Sequence, residues 1–402
     1  MNTRCEFSAP RIFDGENWHV DSRLVIGNGR VETIAPGGDA KGGTNTNLAH
    51  GMLVPGFVDI QVNGGGGVLP NEQADVAAIR TICAVHARFG STSVLPTLIT
   101  DTPRVRDAAI AAAIEAQKQQ VPGFAGLHLE GPHLSIARKG AHDASLIRPM
   151  REDDVQVLLR AGDALDRLIV TVASENVTPE QVATLTGAGI GISIGHSDAP
   201  LQDVRALLDA GASLFTHLFN AMSPLTSRAP GMVGAALGSP TAAASIIADG
   251  FHVHPESIRI AMAAKSDPAQ LFLISDAMSC VGTDATQFVL NGRTITRSNG
   301  RLTLADGTLA GADLELSSAL RYVVNTLGAP LERGLRMVTS YPARAARLEG
   351  RGVLTAGGRA DFLWLDDALN VQQVWIGGNA VSLSSPAPAP ERGAQAIRVA
   401  KG

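Results

Sequence analysis

From Met52 onward, apolar strand-like runs alternate with Ala/Leu-rich amphipathic segments, and this alternation limits the fold more than any other feature of the sequence. Eight such runs are spaced along the chain, at 54–62, 91–99, 124–130, 168–174, 190–196, 213–219, 244–251 and 271–276. Helices are predicted between most of them, at 75–89, 103–119, 153–161 and 203–210. Near-continuous apolar strands separated by helices imply a parallel sheet covered on both faces. Eight in series predict an α/β fold of the (β/α)8 TIM-barrel type. A doubly wound open sheet is the alternative, but it does not explain why polar residues end several separate strands. Residues 281–311 break the pattern with short β-like pieces around Asn291-Gly292 and Asn299-Gly300, which read as a β insertion after the eighth strand. Two helices, 314–326 and 331–348, then close the barrel.

The flanking segments read differently. Residues 1–53 hold short strands, with an Asn28-Gly29 hairpin turn between apolar runs. Residues 352–384 return to strands, expected to pair with the first ones. The expected organisation is therefore a barrel domain over 54–351 and a small, discontinuous β-sandwich domain built from both termini. The Ala/Pro-rich segment 385–402 is expected to be a disordered tail. A net charge of -5 without a Lys/Arg run argues against a nucleic-acid partner. No uncharged apolar stretch approaches the ~18 residues of a membrane span, and the first ten residues lack the apolar core of a signal peptide. Cys5, Cys83 and Cys280 are too far apart in sequence for a disulfide framework or a CxxC site, which fits a reducing cytoplasm.

The chemistry-bearing residues cluster at strand ends. Leu127-His128-Leu129-Glu130-Gly131-Pro132 runs an apolar strand into a carboxylate and then breaks it. A buried Glu is rare unless it is paired or bound to a metal. His196 ends the fifth run, His217 lies near the end of the sixth and Asp276 ends the eighth. One such histidine alone is more often a hydrogen-bonded core residue; four residues at four strand ends are a constellation. Glu130, His196 and His217 form a ligand set for a catalytic Zn²⁺ with open positions, and Asp276 would serve beside it as general base. The same set accepts Fe²⁺, Co²⁺ or Mn²⁺. His128 shares Glu130's side of the strand and is a candidate to support it.

Pro55-Gly56-Phe57-Val58-Asp59 followed by Gln61-x-Asn63 resembles the opening strand of the amidohydrolase superfamily, where the polar pair is usually His-x-His and binds metal. An amide is a poor Zn²⁺ ligand beside imidazole, so one metal per subunit is expected. Gln61 and Asn63 are then left to cap the strand or to bond substrate or water. The segments LHLEGPH (127–133), KGAH (139–142), IGHSDA (194–199), THLFNAM (216–222), ADGFHV (248–253), ISDAM (274–278) and TLAG (308–311) resemble the N-acetylglucosamine-6-phosphate deacetylases over nearly the whole chain. That resemblance implies hydrolysis of the acetamide of N-acetyl-D-glucosamine 6-phosphate by a cytoplasmic homodimer. It implies Glu130, His196 and His217 as metal ligands, Asp276 as acid/base and His142 as a second catalytic group. Asn220, Ala221, Arg228 and His252 match sugar-phosphate contacts, Ala141 and His142 the sugar and acetyl contacts, and Leu309, Ala310 and Gly311 a segment closing over substrate. Arg228 offers the bidentate fork a phosphate needs, in this chain's site or a neighbour's. The rival readings are N-acetylgalactosamine 6-phosphate or an N-acyl-D-amino acid as substrate, or an inactive barrel kept as an interaction protein.

Overall fold

In the computed structural model, which describes residues 4–37, 44–266 and 270–384, the eight runs form one parallel sheet in strict chain order. Its strands are Phe57–Val62, Ser91–Ile99, Leu127–Glu130, Leu168–Val172, Gly191–Ile194, Leu214–Phe215, Ala243–Ile246 and Leu271–Leu273. The sheet closes where the Asp276 N–H donates to the Gln61 carbonyl at 3.0 Å, beside a parallel bridge between Val62 and Ala277. The open-sheet alternative is thereby excluded. Barrel strands and outer helices share one large core that includes Val94, Leu129, Ile192, Phe215 and Phe272. The predicted helices form at Val76–Arg88, Pro103–Lys118, Glu152–Ala164 and Leu201–Asp209. Asp75 and Thr102 cap the first two through their side chains.

The first run splits between two sheets. Met52–Pro55 pairs antiparallel with Phe362–Leu365, and the barrel begins at Phe57. Gly56 is the crossing point, where an added Cβ would collide with the Thr92 side chain. The second sheet joins both ends of the chain, with Arg4–Phe13 and Trp18–Gly27 beside Met52–Pro55 and Val371–Ile376 beyond Phe362–Leu365. It has its own core, in which Phe7, Phe362 and Trp375 pack ring to ring. The Asn28-Gly29 turn has φ of 52° and 72°, as a two-residue hairpin turn requires. The predicted tail, 385–402, lies outside the described residues.

The insertion is a three-stranded antiparallel sheet, Gln287–Leu290, Arg293–Ser298 and Arg301–Thr303. Its two Asn-Gly turns are left-handed at all four residues. The predicted helix at 331–348 is instead two helices, Leu331–Val338 and Ser340–Ala345. Thr339 breaks it with φ -127° and ψ -92°; Pro342 has no N–H to give the preceding turn, and its ring would crowd the carbonyl of Val338. Among the described residues no helix is long and apolar enough to cross a membrane.

Asp154, 2% exposed at the start of Glu152–Ala164, ties the third strand's loop to its helix. Arg148 Nη2 and Arg106 Nη1 reach Asp154 Oδ1 at 2.6 and 2.9 Å, and the Arg151 N–H donates to Oδ2. Burial alone would raise this carboxyl's pKa, but the Arg148 bond and the Arg151 N–H outweigh it and hold the pKa far below the usual range. A depressed folded-state pKa gives stability that is present above the unfolded carboxylate value of about 4 and is lost as pH falls below it. Asp154→Asn is expected to cost about 1–3 kcal/mol at pH 7, because it leaves the partly buried guanidiniums of Arg148 and Arg106 without their counter-charge. Urea unfolding of both proteins should show that difference shrinking as pH falls from 6 toward 3.

Candidate active site

Three of the four strand-end residues sit in left-handed backbone, His196 at φ 49°, His217 at 36° and Asp276 at 50°. Glu130 is followed by Gly131 at 88°. A non-glycine residue held there is strained and persists only where its surroundings fix it. The chain thus turns sharply at or just past the end of each of these strands and throws the side chain across the barrel mouth. The surroundings are explicit for His196. Its carbonyl accepts from the Ser135 N–H at 2.9 Å, and Glu175 receives the Ser197 hydroxyl and the Asp198 N–H, both at 2.7 Å.

The side chains converge. His217 Nε2 and His196 Nε2 lie 3.1 and 3.3 Å from Glu130 Oε1, and the two nitrogens are 3.0 Å apart. His196 Nδ1 stands 2.8 Å from the Arg138 carbonyl, so Nδ1 carries the proton and Nε2 presents its lone pair. His217 Nδ1 is buried without a partner, which leaves that ring's tautomer free to follow whatever binds Nε2. One carboxylate oxygen and two imidazole lone pairs on one point are chemically fit for a divalent cation. Burial would raise the Glu130 pKa, but the contacts with His196 and His217 hold it well below the ordinary value. Burial would lower the His217 pKa, but the Glu130 bond and charge raise it.

His142 belongs to a cluster with Glu130 and His196 whose ligand atoms all lie within 4.8 Å, yet its hydrogen bonds give it another role. The Thr100 N–H donates to His142 Nδ1 at 3.3 Å. Thr100 Oγ1 lies 2.8 Å from the same nitrogen; with both Thr100 groups donating to Nδ1, the proton of the neutral ring sits on Nε2, 3.8 Å from Glu130 Oε2. Burial first, then the neighbouring His196, push its pKa down to about 3, so the ring is neutral. A buried Nε2–H facing the cavity offers a hydrogen-bond donor to whatever occupies it.

Gln61 and Asn63 turn their side-chain N–H groups onto the two carboxylates. Gln61 Nε2 donates to Glu130 Oε1 at 3.2 Å and to Asp276 Oδ1 at 3.1 Å. Asn63 Nδ2 donates to Asp276 Oδ1 at 2.7 Å. The amide N–H groups bridge the two carboxylates, where histidines would instead offer lone pairs to a second cation. Burial, then the charge of Glu130, raise the Asp276 pKa above the ordinary value. His128 lies below, bonded to the Ile60 carbonyl and Thr171 Oγ1 rather than to Glu130.

These groups line a cavity of about 250 Å³. Asn63, Glu130, Ala141, His142, His196, His217, Asn220, Ala221, His252, Asp276, Leu309, Ala310 and Gly311 all border it. His252 is fixed by Asp249, whose Oδ2 meets Nδ1 at 2.6 Å, leaving Nε2 available. Two expected residues stand outside this lining. Gln61 lies behind the lining, absorbed by the carboxylates. Arg228 is exposed and borders a separate groove with Asp198, Arg205 and Asp209; its loop, 223–231, runs along the outer helix Leu201–Asp209 instead of over the barrel mouth. Among the described residues the site cavity is lined by no Lys or Arg. Sequence reading missed Ile99, Met278 and Leu290 in the wall and Thr100 behind His142. Only the position of Ile99 at the end of a strand could have pointed to any of them.

Comparison with known proteins agrees with this geometry. Residues 52–381 match the amidohydrolase family. The chain is 44% identical over 331 residues to the N-acetylgalactosamine-6-phosphate deacetylase of Shewanella sp. (strain ANA-3), covering 82% of this chain and 83% of that one. It is 34% identical over 335 residues to the N-acetylglucosamine-6-phosphate deacetylase of Haemophilus influenzae, covering 82% and 87%. The solved N-acetylglucosamine-6-phosphate deacetylase of Pasteurella multocida superposes with a TM-score of 0.90 at 31% identity, over 94% of this chain and 99% of that one. A match that starts in the small sheet, spans the barrel and returns to that sheet, with relatives covering most of both chains, makes this chain a member of the amidohydrolase family.

Proposed function

We propose that this protein hydrolyses the acetamide of N-acetyl-D-glucosamine 6-phosphate to D-glucosamine 6-phosphate and acetate. The observation that carries this is the convergence of Glu130, His196 and His217 within 3.3 Å, with Asp276 beside them. A divalent cation bound by those three supplies Lewis acidity, acidifying water and polarising an amide carbonyl. We take it as Zn²⁺, with Fe²⁺, Co²⁺ or Mn²⁺ able to replace it. The reaction breaks the amide C–N bond and forms a C–O bond from water. Asp276 takes the proton from the attacking water and returns it to the departing amine. The Nε2–H of His142 donates to the carbonyl oxygen as negative charge develops there. Asn220 and His252 hold the sugar phosphate away from the reacting amide and orient it.

The missing cation in the lining supports a homodimer in which Arg228 of a second copy completes the phosphate site. A cytoplasmic setting is supported by Cys5, Cys83 and Cys280, all free. One observation favours the galactosamine epimer as a second reading, namely the 44% identity to a deacetylase of that sugar. Acetate release from the two N-acetylhexosamine 6-phosphates, measured side by side as kcat/KM, separates them. A higher value for the glucosamine substrate supports the first reading; the reverse establishes the second. His142→Asn is expected to lower kcat by about 10²–10³-fold while moving KM far less, as steady-state kinetics would show.

A further inference from the structure

The three-stranded insertion takes no part in the chemistry above, yet it forms one wall of the site. Leu290, at the end of its first strand, is 1% exposed and borders the cavity. It packs with Ile99, Met278 and Ala310 in a cluster separate from the barrel core, and Ala141 lies against that cluster. Arg293, which follows the Asn291-Gly292 turn, donates to the Ala141 carbonyl. The apolar wall is thereby pinned to the segment that carries His142.

The wall also occupies one sector of the mouth. Ile99 ends the second strand and Met278 follows the eighth, whereas Asn220 and His252 follow the sixth and seventh. In a closed barrel with its strands in chain order, the second strand lies across from the sixth. An amide whose carbonyl meets His142 between these sectors has two substituents of opposite character. The phosphorylated sugar needs polar donors, and the acyl chain needs apolar cover.

We propose that Ile99, Met278 and Leu290 form the acyl pocket, and that the insertion, through Leu290, limits the acyl group to acetyl. The proposal rests on the deacetylase reading and assigns the chain-length selectivity of that site. One methylene in such a pocket discriminates by roughly tenfold or more. The test is kcat/KM for the N-acetyl, N-propionyl and N-butyryl forms of the hexosamine 6-phosphate, with wild type, Leu290→Ala and Leu290→Val. Wild type is expected to lose about tenfold per added methylene. Leu290→Ala should compress the acetyl-to-butyryl ratio by about tenfold or more, and Leu290→Val, which keeps more of the insertion's packing, should move it the same way by less. An unchanged ratio in both variants, or an equal loss for all three acyl groups, would overturn the assignment. If wild type released no acid from any of the three, the deacetylase reading would fall and the acyl pocket with it. Release of acetate alongside an unmoved ratio would remove only the pocket.

Discussion

Asp276→Asn is expected to lower kcat for acetate release by about 10²–10⁴-fold, the range in which a positioned acid/base contributes. The substitution keeps the shape of the site. Asp276 Oδ1 accepts from Gln61 and Asn63, and an asparagine oxygen can accept both bonds. What is lost is the ability to take a proton from water and return it to the amine. The variant should therefore fold normally, retain its metal and bind substrate, which circular dichroism, metal analysis and KM together would establish. A variant with near wild-type kcat would require another base, and no other carboxylate among the described residues borders the cavity except Glu130.

Metal removal should have the second largest effect. Chelation is expected to abolish turnover, and added Zn²⁺ to restore it. Glu130→Gln should weaken metal retention by at least the 10–100-fold that even supporting residues confer, since it removes the oxygen on which both histidines converge. The metal-free protein should also unfold more easily. A ligand present at a thousand times its Kd stabilises the folded state by about 4 kcal/mol, so a Tm lower by several degrees in chelator is the expected reading. An unshifted Tm and full activity in chelator would remove the metal from the account.

The parts of this protein legible in its sequence are those fixed by local rules. Asn-Gly turns set the hairpins at residues 28–29, 291–292 and 299–300, because few residue pairs accept two positive φ angles in a row. Apolar runs of strand length predicted the barrel, and the four with a ligand-type residue at or near their ends pointed to Glu130, His196, His217 and Asp276. Long-range placement was not legible. Arg228 follows its motif in sequence, but the path of its loop carries it to an outer groove. Gln61 and Asn63 read as free polar groups until the barrel closes and sets Asp276 against them. Leu290 carries no chemical signal; only the folding of the insertion onto Ile99 and Met278 makes it part of the wall. The break at Thr339 was partly visible through Pro342, but the uninterrupted apolar pattern from 331 to 348 masked it.

The most direct test of the central claim is acetate release by the metal-loaded enzyme from N-acetylglucosamine 6-phosphate and from its unphosphorylated counterpart. The account predicts turnover of the phosphorylated sugar, a far lower kcat/KM for the other, and loss of both in Asp276→Asn. No acetate from either sugar under any of the four divalent metals would contradict it.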